Sequence, residues 1–135
     1  GTGFIAGSYQ AEQILNTVPG IQLTNLRPTS FYYNLLAFIP MITREGFIGA
    51  VYGDNDKVAL TSPKDIATVA AEELIKESDF HAIRYIGSDD RTCNEIAKVI
   101  GRAIGKPDLK WVTLPKQEVF NNFKKTGLSI SRATG

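Results

Sequence analysis

The chain has 135 residues, of which 43% are hydrophobic and 21% charged, and its formal net charge is +1. That length suits one domain with a core large enough to fold, and so small a charge gives no electrostatic reason to expect nucleic acid or an anionic membrane as partner. One cysteine, Cys93, excludes an internal disulfide and fits a reducing, cytoplasmic location; with one histidine, His81, it cannot build a Cys/His zinc site, so no metal is expected.

The chain opens on "GTGFIAGSY", with neither an initiator Met nor a secretory leader, and closes on "GLSISRATG". Both ends read as cut, so a fragment is expected. Residues 8 to 17 carry Ala11, Ile14 and Leu15 at helical spacing behind Ser8, and Pro19-Gly20 stops that helix. "IQLTNLR" follows as a strand over 21 to 26. Pro28, with Thr29 or Ser30 as cap, starts a helix over 30 to 44 that ends near Gly46. Its apolar stretch from Phe31 to Ile42 is too short to cross a bilayer and is interrupted by Asn34 and Pro40.

"FIGAVYG" reads as a short strand, residues 53 to 56 as a loop or hairpin turn, and "KVALTS" as the returning strand. "SPKDIATVAAEELIKE" is the clearest helix. Ser62 caps it, Pro63 takes the first position, and Ile66, Val69, Ala70 and Leu74 form one face. "AIRYIG" is the next strand. "RTCNEIAKVIGRAIG" is a helix with Thr92 and Glu95 spaced as a capping box and Gly105 as its stop. "LKWVTL" is a strand, and a last helix runs from about Lys116 to Lys125. The alternation argues an α/β fold with some parallel pairing. Strands 21 to 26 and 82 to 87 read as buried on both faces, as in a doubly wound sheet.

Several chemistries are tested by motif and fail. No G-x-G-x-x-G joins a strand to a helix, and neither a phosphate-binding G-x-x-x-x-G-K-[ST] nor G-x-S-x-G occurs. Tyr9 is a weak catalytic candidate. A Tyr-x-x-x-Lys pair would lower the phenol pKa, but the fourth residue after Tyr9 is Gln13, which supplies no such field. "DNDK" at 54 to 57 lacks the Gly and Glu of a calcium loop and reads as a surface turn.

Leu26-Arg27-Pro28-x-x-Phe31-x-x-Asn34, followed by Asp65-Ile66-Ala67 and by "RYIGSDDRTCNEIAKVIGRAIGKPDLKWVTLP", resembles the NmrA-like family. These are atypical short-chain dehydrogenase/reductases with an extended Rossmann fold. The likeness covers essentially the whole chain but only the C-terminal half of the family's domain. It implies that the absent N-terminal half carries the Gly-rich turn and most NAD(P) contacts, and is a partner of this piece. About 1–45 and 63–88 would then belong to the Rossmann-side sheet, and about 46–62 and 89–135 to a small substrate-side α+β subdomain. The loop Pro28, Thr29 and Ser30 would face the nicotinamide end of the cleft, agreeing with the rule that ligands bind beyond the carboxyl ends of parallel strands. This piece alone is not expected to hold the dinucleotide tightly.

The full protein implied is an NAD(P)H-dependent oxidoreductase acting on a small acceptor, quinone-like or aromatic. The alternative is a non-catalytic NAD(P)-sensing regulator of the same type. Many members carry a Lys about one turn before a Glu equivalent to Glu12, whereas this chain has Ser8-Tyr9-Gln10 there.

Charge at the end of an apolar strand must be paired if buried, so Arg27 is expected to pair with Asp65 as a structural ion pair. Asn34 either bonds the backbone or points into a cleft, and with Phe31 and Tyr33 it is a candidate substrate-pocket residue. Cys93, at a helix start, reads as a buried inert thiol. Trp111 is expected to pack under the last helix. Late strands lacking a neighbour would leave an open edge, so self-association is expected.

Overall fold

The computed structural model describes residues 5–76 and 82–125. The opening "GTGF", His81 and the tail from 126 lie outside the described residues.

In chain order the elements are α1 (Ile5–Leu15), β1 (Thr24–Pro28), β2 (Ser30–Phe31), a 3-10 helix (Tyr32–Phe38), α2 (Ile39–Arg44), β3 (Ile48–Ala50) and β4 (Lys57–Thr61). Then come α3 (Pro63–Ile75), β5 (Ala82–Ile86), β6 (Asp89–Thr92), α4 (Cys93–Ala103), β7 (Trp111–Thr113) and α5 (Lys116–Lys125). Among the described residues β1 pairs with β5 in parallel, with Arg27 opposite Tyr85 and Pro28 opposite Ile86. β4 lies between β2, which is parallel to it, and β6, which is antiparallel. β3 and β7 form a third, parallel pair. The fold is mixed α/β with parallel strands, as its alternating pattern predicts.

The helix expected over 30 to 44 is replaced by an extended step, a 3-10 helix and the short α2. The reason is Pro40. It has no N–H to give the carbonyl four residues back, and its ring crowds that carbonyl, so an α-helix cannot run through it. It sits instead in the first turn of α2, where a missing donor costs nothing. β1 is shifted toward the loop, because its pairing with β5 continues through Arg27 and Pro28. Residues 53 to 56 do not join a hairpin. Their turn places β3 beside β7 and β4 beside β6, in different sheets. In that turn Asp56 N–H donates to Gly53 O at 2.9 Å, and the turn's carbonyls take donors from the start of α4, Cys93 N–H to Asp56 O at 3.0 Å and Asn94 N–H to Asp54 O at 3.1 Å. β6, entirely polar in sequence, has no counterpart in the periodicity reading.

The closed core lies around Ile42, Ile48, Leu60, Cys93, Ile96 and Trp111. α4 supplies one of its walls: its buried positions Cys93, Ile96 and Ala97 share a face. Gly101 lets the turn after α4 fold back, since a Cβ there would stand 2.9 Å from Leu109 Cβ. Trp111 is buried against aromatic neighbours. Its ring meets Phe38 edge-on at 5.2 Å and tilts against Tyr52 at 5.6 Å, and its indole N–H donates to Tyr52 O at 2.8 Å.

The β1–β5 pair differs from its expected two-sided burial. Only Ile86 among its residues is buried, while Tyr85 is 73% exposed and Ile83 47%. α3 packs along the pair, and between β1 and α3 lies an open groove of about 450 Å³ lined by Leu23, Leu26, Ala70, Glu73 and Leu74 among others.

Candidate functional site

β1 and β5 run side by side and end together, so the loops that follow them meet. This is where an open parallel sheet places a ligand. Thr29 and Ser30 follow β1, Gly87 and Ser88 follow β5, and Thr61 with Ser62 leave β4 at the same place.

A hydrogen-bond knot ties these loops. Thr29 N–H donates to Ile86 O at 2.9 Å and to Thr61 Oγ1 at 3.2 Å. Thr61, fully buried, donates its hydroxyl to Ile86 O at 2.9 Å and also contacts Thr29 Oγ1. Ser88 N–H donates to Leu60 O at 2.8 Å, and Ser62 N–H donates to Ser88 Oγ at 2.9 Å. Ser88 Oγ in turn donates to Asp65 Oδ2. Every buried polar group in the knot has a partner, as a rigid polar site requires. A small open cavity of about 310 Å³ lies against Gly87, Ser88, Asp89 and Asp90.

Arg27 does not pair with Asp65. Its Nη2 meets Glu12 Oε1 of α1 at 2.6 Å, its Nη1 donates to Tyr85 Oη at 3.1 Å, and its guanidinium stands 5.7 Å from the Tyr85 ring centroid. The register explains this. Arg27 lies directly across from Tyr85, on the flank that α1 approaches, whereas Asp65 lies in the first turn of α3 beyond the strand ends. The hydrogen bonds to Tyr85 and then Glu12 hold the Arg27 guanidinium above its ordinary pKa. Asp65 instead accepts from Ser88 Oγ, 23 residues away in sequence.

Phe31, the last residue of β2, and Tyr33 and Asn34 just after it are all exposed, Tyr33 at 65%. Asn34 Nδ2 donates to Ser30 Oγ at 3.2 Å, which links this surface to the loop after β1. Tyr9 is 59% exposed on α1. Cys93 is buried at the start of α4, and burial first, then Asp56 and Asp54, push its thiol pKa up. A thiol so placed is inert. Thr61 was missed by the sequence reading. A β-branched residue at the end of an apolar run gives no hint that its hydroxyl is the hub.

No protein-family model matches the chain. A stretch of 89 residues is 33% identical to (4-alkanoyl-5-oxo-2,5-dihydrofuran-3-yl)methyl phosphate reductase of Streptomyces griseus, covering 65% of this chain and 31% of that enzyme. Among solved structures the chain is similar to an NADPH-dependent quinone oxidoreductase of Escherichia coli in complex with NADPH. The TM-score is 0.76 at 23% identity, over 98% of this chain and 47% of that one. A nucleoside-diphosphate-sugar epimerase of Staphylococcus aureus gives a TM-score of 0.72 at 14% identity, over 93% and 44%. The fold is Rossmann-like, mixed α/β with parallel strands. The chain spans less than half the length of each of these proteins. No helix among the described residues is long and apolar enough to cross a membrane.

Proposed function

We propose that this chain forms the late-sheet and substrate-side part of an NAD(P)H-dependent oxidoreductase of the NmrA-like type, which reduces a small quinone-like or aromatic acceptor. One observation carries the reading. The parallel β1–β5 pair delivers Thr29–Ser30 and Gly87–Ser88 to one edge, and the exposed rings of Phe31 and Tyr33 adjoin it through the Ser30–Asn34 bond. The reductase relative and the NADPH complex of the quinone oxidoreductase support it.

The residues present fit the nicotinamide end of a dinucleotide. Pro28 offers an apolar ring, and Thr29 and Ser88 offer hydroxyl oxygens held by the knot. The Gly-rich phosphate turn is not in this sequence, so the pyrophosphate would be held by residues preceding this part of the fold. When bound, the reduced nicotinamide supplies the hydride. The chain's own work is orientation. Thr29 and Ser88 fix one side of the cleft, and Phe31 and Tyr33 offer flat apolar surface to an aromatic acceptor. The same reading assigns about 1–45 and 63–88 to the cofactor-side layer, and about 46–62 and 89–135 to the substrate side. It also makes the outer edge of β1–β5 the place where the rest of such a fold, or a second copy of this chain, adds a strand.

The test uses the protein in its natural sequence context, with NADPH or NADH and a panel of quinones. The expected result is oxidation of the reduced cofactor, with Tyr33→Ala raising KM for the aromatic acceptor severalfold. Cofactor binding with no turnover on any acceptor would replace this reading with the NAD(P)-sensing regulator.

A further inference from the structure

Thr61 has one hydroxyl proton and two lone pairs. A carbonyl can only accept, so the 2.9 Å contact with Ile86 O uses that proton. Its lone pairs face two donors from one residue, Thr29 N–H at 3.2 Å and the Thr29 hydroxyl. With the Thr61 proton committed elsewhere, the contact between the two hydroxyls has one consistent direction: Thr29 donates and Thr61 accepts. Thr61 is then saturated, and Thr29 Oγ1 keeps lone pairs but no proton to offer a ligand.

Ser88 obeys the same logic. Its proton goes to the Asp65 carboxylate, and it accepts from Ser62 N–H. The two hydroxyls at the strand ends therefore present only acceptors. Thr29 is half-buried, and Gly87, where a Cβ would stand in ordinary contact at 3.8 Å from both Cγ2 and Oγ1 of Thr29, lines the small cavity beside it.

We propose that Thr29 is a proton-less acceptor in the cleft, that it selects a ligand group carrying a neutral N–H or O–H donor and rejects an anionic oxygen, and that buried Thr61 is the positioning residue that sets this polarity. The inference rests on the cleft being the ligand site of the function proposed above. The donor has two sources in that reading, the carboxamide of the cofactor or a hydroxyl of the acceptor.

Nicotinamide and nicotinate differ at this point only in donor against anion, and both serve as probes. Binding is read from the backbone amide signals of Thr29 and Ser88 in a nuclear magnetic resonance titration. Wild type is expected to bind nicotinamide at least tenfold better than nicotinate, about one charge-sensitive hydrogen bond. Thr29→Val removes the preference. Thr61→Val, which touches no ligand, frees the Thr29 proton to turn outward and so narrows the preference toward nicotinate. Thr61→Ser keeps the acceptor and restores it. A residue with a merely structural role would weaken both probes alike.

Two arms separate the donor's source. If it is the cofactor, Thr29→Val weakens NADPH about tenfold and spares the analogue whose carboxamide is replaced by a methyl ketone. If it is the acceptor, both cofactors bind as before and KM rises for hydroxylated acceptors. Equal binding of the two probes by wild type overturns the proposal, as does a folded Thr29→Val protein with unchanged nicotinamide shifts. Failure of the protein in its natural sequence context to bind NADPH overturns the function proposed above, while the probe pair still decides the polarity of Thr29.

Discussion

Around Trp111 the apolar side chains close on one another, whereas around β1 and β5 they face outward. Ile48 is 0% exposed, Leu60 2%, Ile96 4% and Trp111 4%; in the other layer Leu74 is 86% exposed, Ile75 87%, Ile14 66% and Tyr85 73%. The residue types are the same, so hydrophobicity alone does not decide which close. What differs is the number of faces that need cover. α4 puts its buried residues on one face and meets them with β7, Leu109 and Leu60. The β1–β5 pair has two faces, and α3 covers one; α1 is held at the flank by the Arg27–Glu12 pair. A strand apolar on both sides needs two neighbours, and a closed region needs none from outside.

The largest effect that would sharpen this contrast is expected from Trp111→Ala. The substitution removes a buried ring, its contacts with Phe38 and Tyr52 and its hydrogen bond to Tyr52 O. A loss of about 4 kcal/mol is expected, in the range for buried aromatic truncation, measured by denaturant unfolding. A loss below about 1 kcal/mol, the level of a surface change, would show that the region around Trp111 is not the folding core.

A smaller effect is expected at the start of α4, the wall of that core. Thr92 Oγ1 accepts from Glu95 N–H at 3.2 Å, and Glu95 Oε2 accepts from Thr92 N–H at 2.8 Å. Thr92→Ala should cost about 1 kcal/mol, the usual value of a cap. The reciprocal half titrates. The Thr92 backbone N–H, then its hydroxyl, hold the Glu95 carboxyl below its ordinary pKa. A depressed carboxylate adds stability above the ordinary Glu range and loses it as pH falls through the folded-state value. Wild type and Glu95→Gln should therefore differ in unfolding midpoint at neutral pH and converge in acid. Parallel curves at all pH values would remove Glu95 from the cap.

This cap was legible in the sequence because it is local: Thr-x-x-Glu before an apolar face names its own partners. So was the start of α3, where Ser62 Oγ accepts from Lys64 N–H at 3.1 Å. The partner of Arg27 was not. Helix α1 and the first turn of α3 both offer a carboxylate, and only the register of β1 against β5 chooses Glu12. Thr61 was illegible for a related reason. Its two partners, Thr29 and Ile86, lie 32 and 25 residues away in sequence, and no periodicity marks a hydroxyl whose role is to accept from another hydroxyl. β6 pairs through its backbone while its side chains are all polar, so nothing in its pattern announces a strand.

The smallest effect is the one that could break the comparison. Leu74 stands at the end of α3, 86% exposed, beside the groove between β1 and α3. A side chain this exposed buries little on folding, so Leu74→Ser in the dilute chain should change stability by no more than about 0.5 kcal/mol. Association changes the reference. If a second copy or the rest of such a fold lies on this layer, Leu74 loses its water contact, and the same substitution costs about 2–4 kcal/mol, as for a core truncation. The assembled form should then show the large cost and the dilute chain the small one, with sedimentation at both concentrations reporting which form is present. A large cost at every dilution would mean that the chain covers this face by itself. The outward layer would then be a second core rather than a surface awaiting a neighbour.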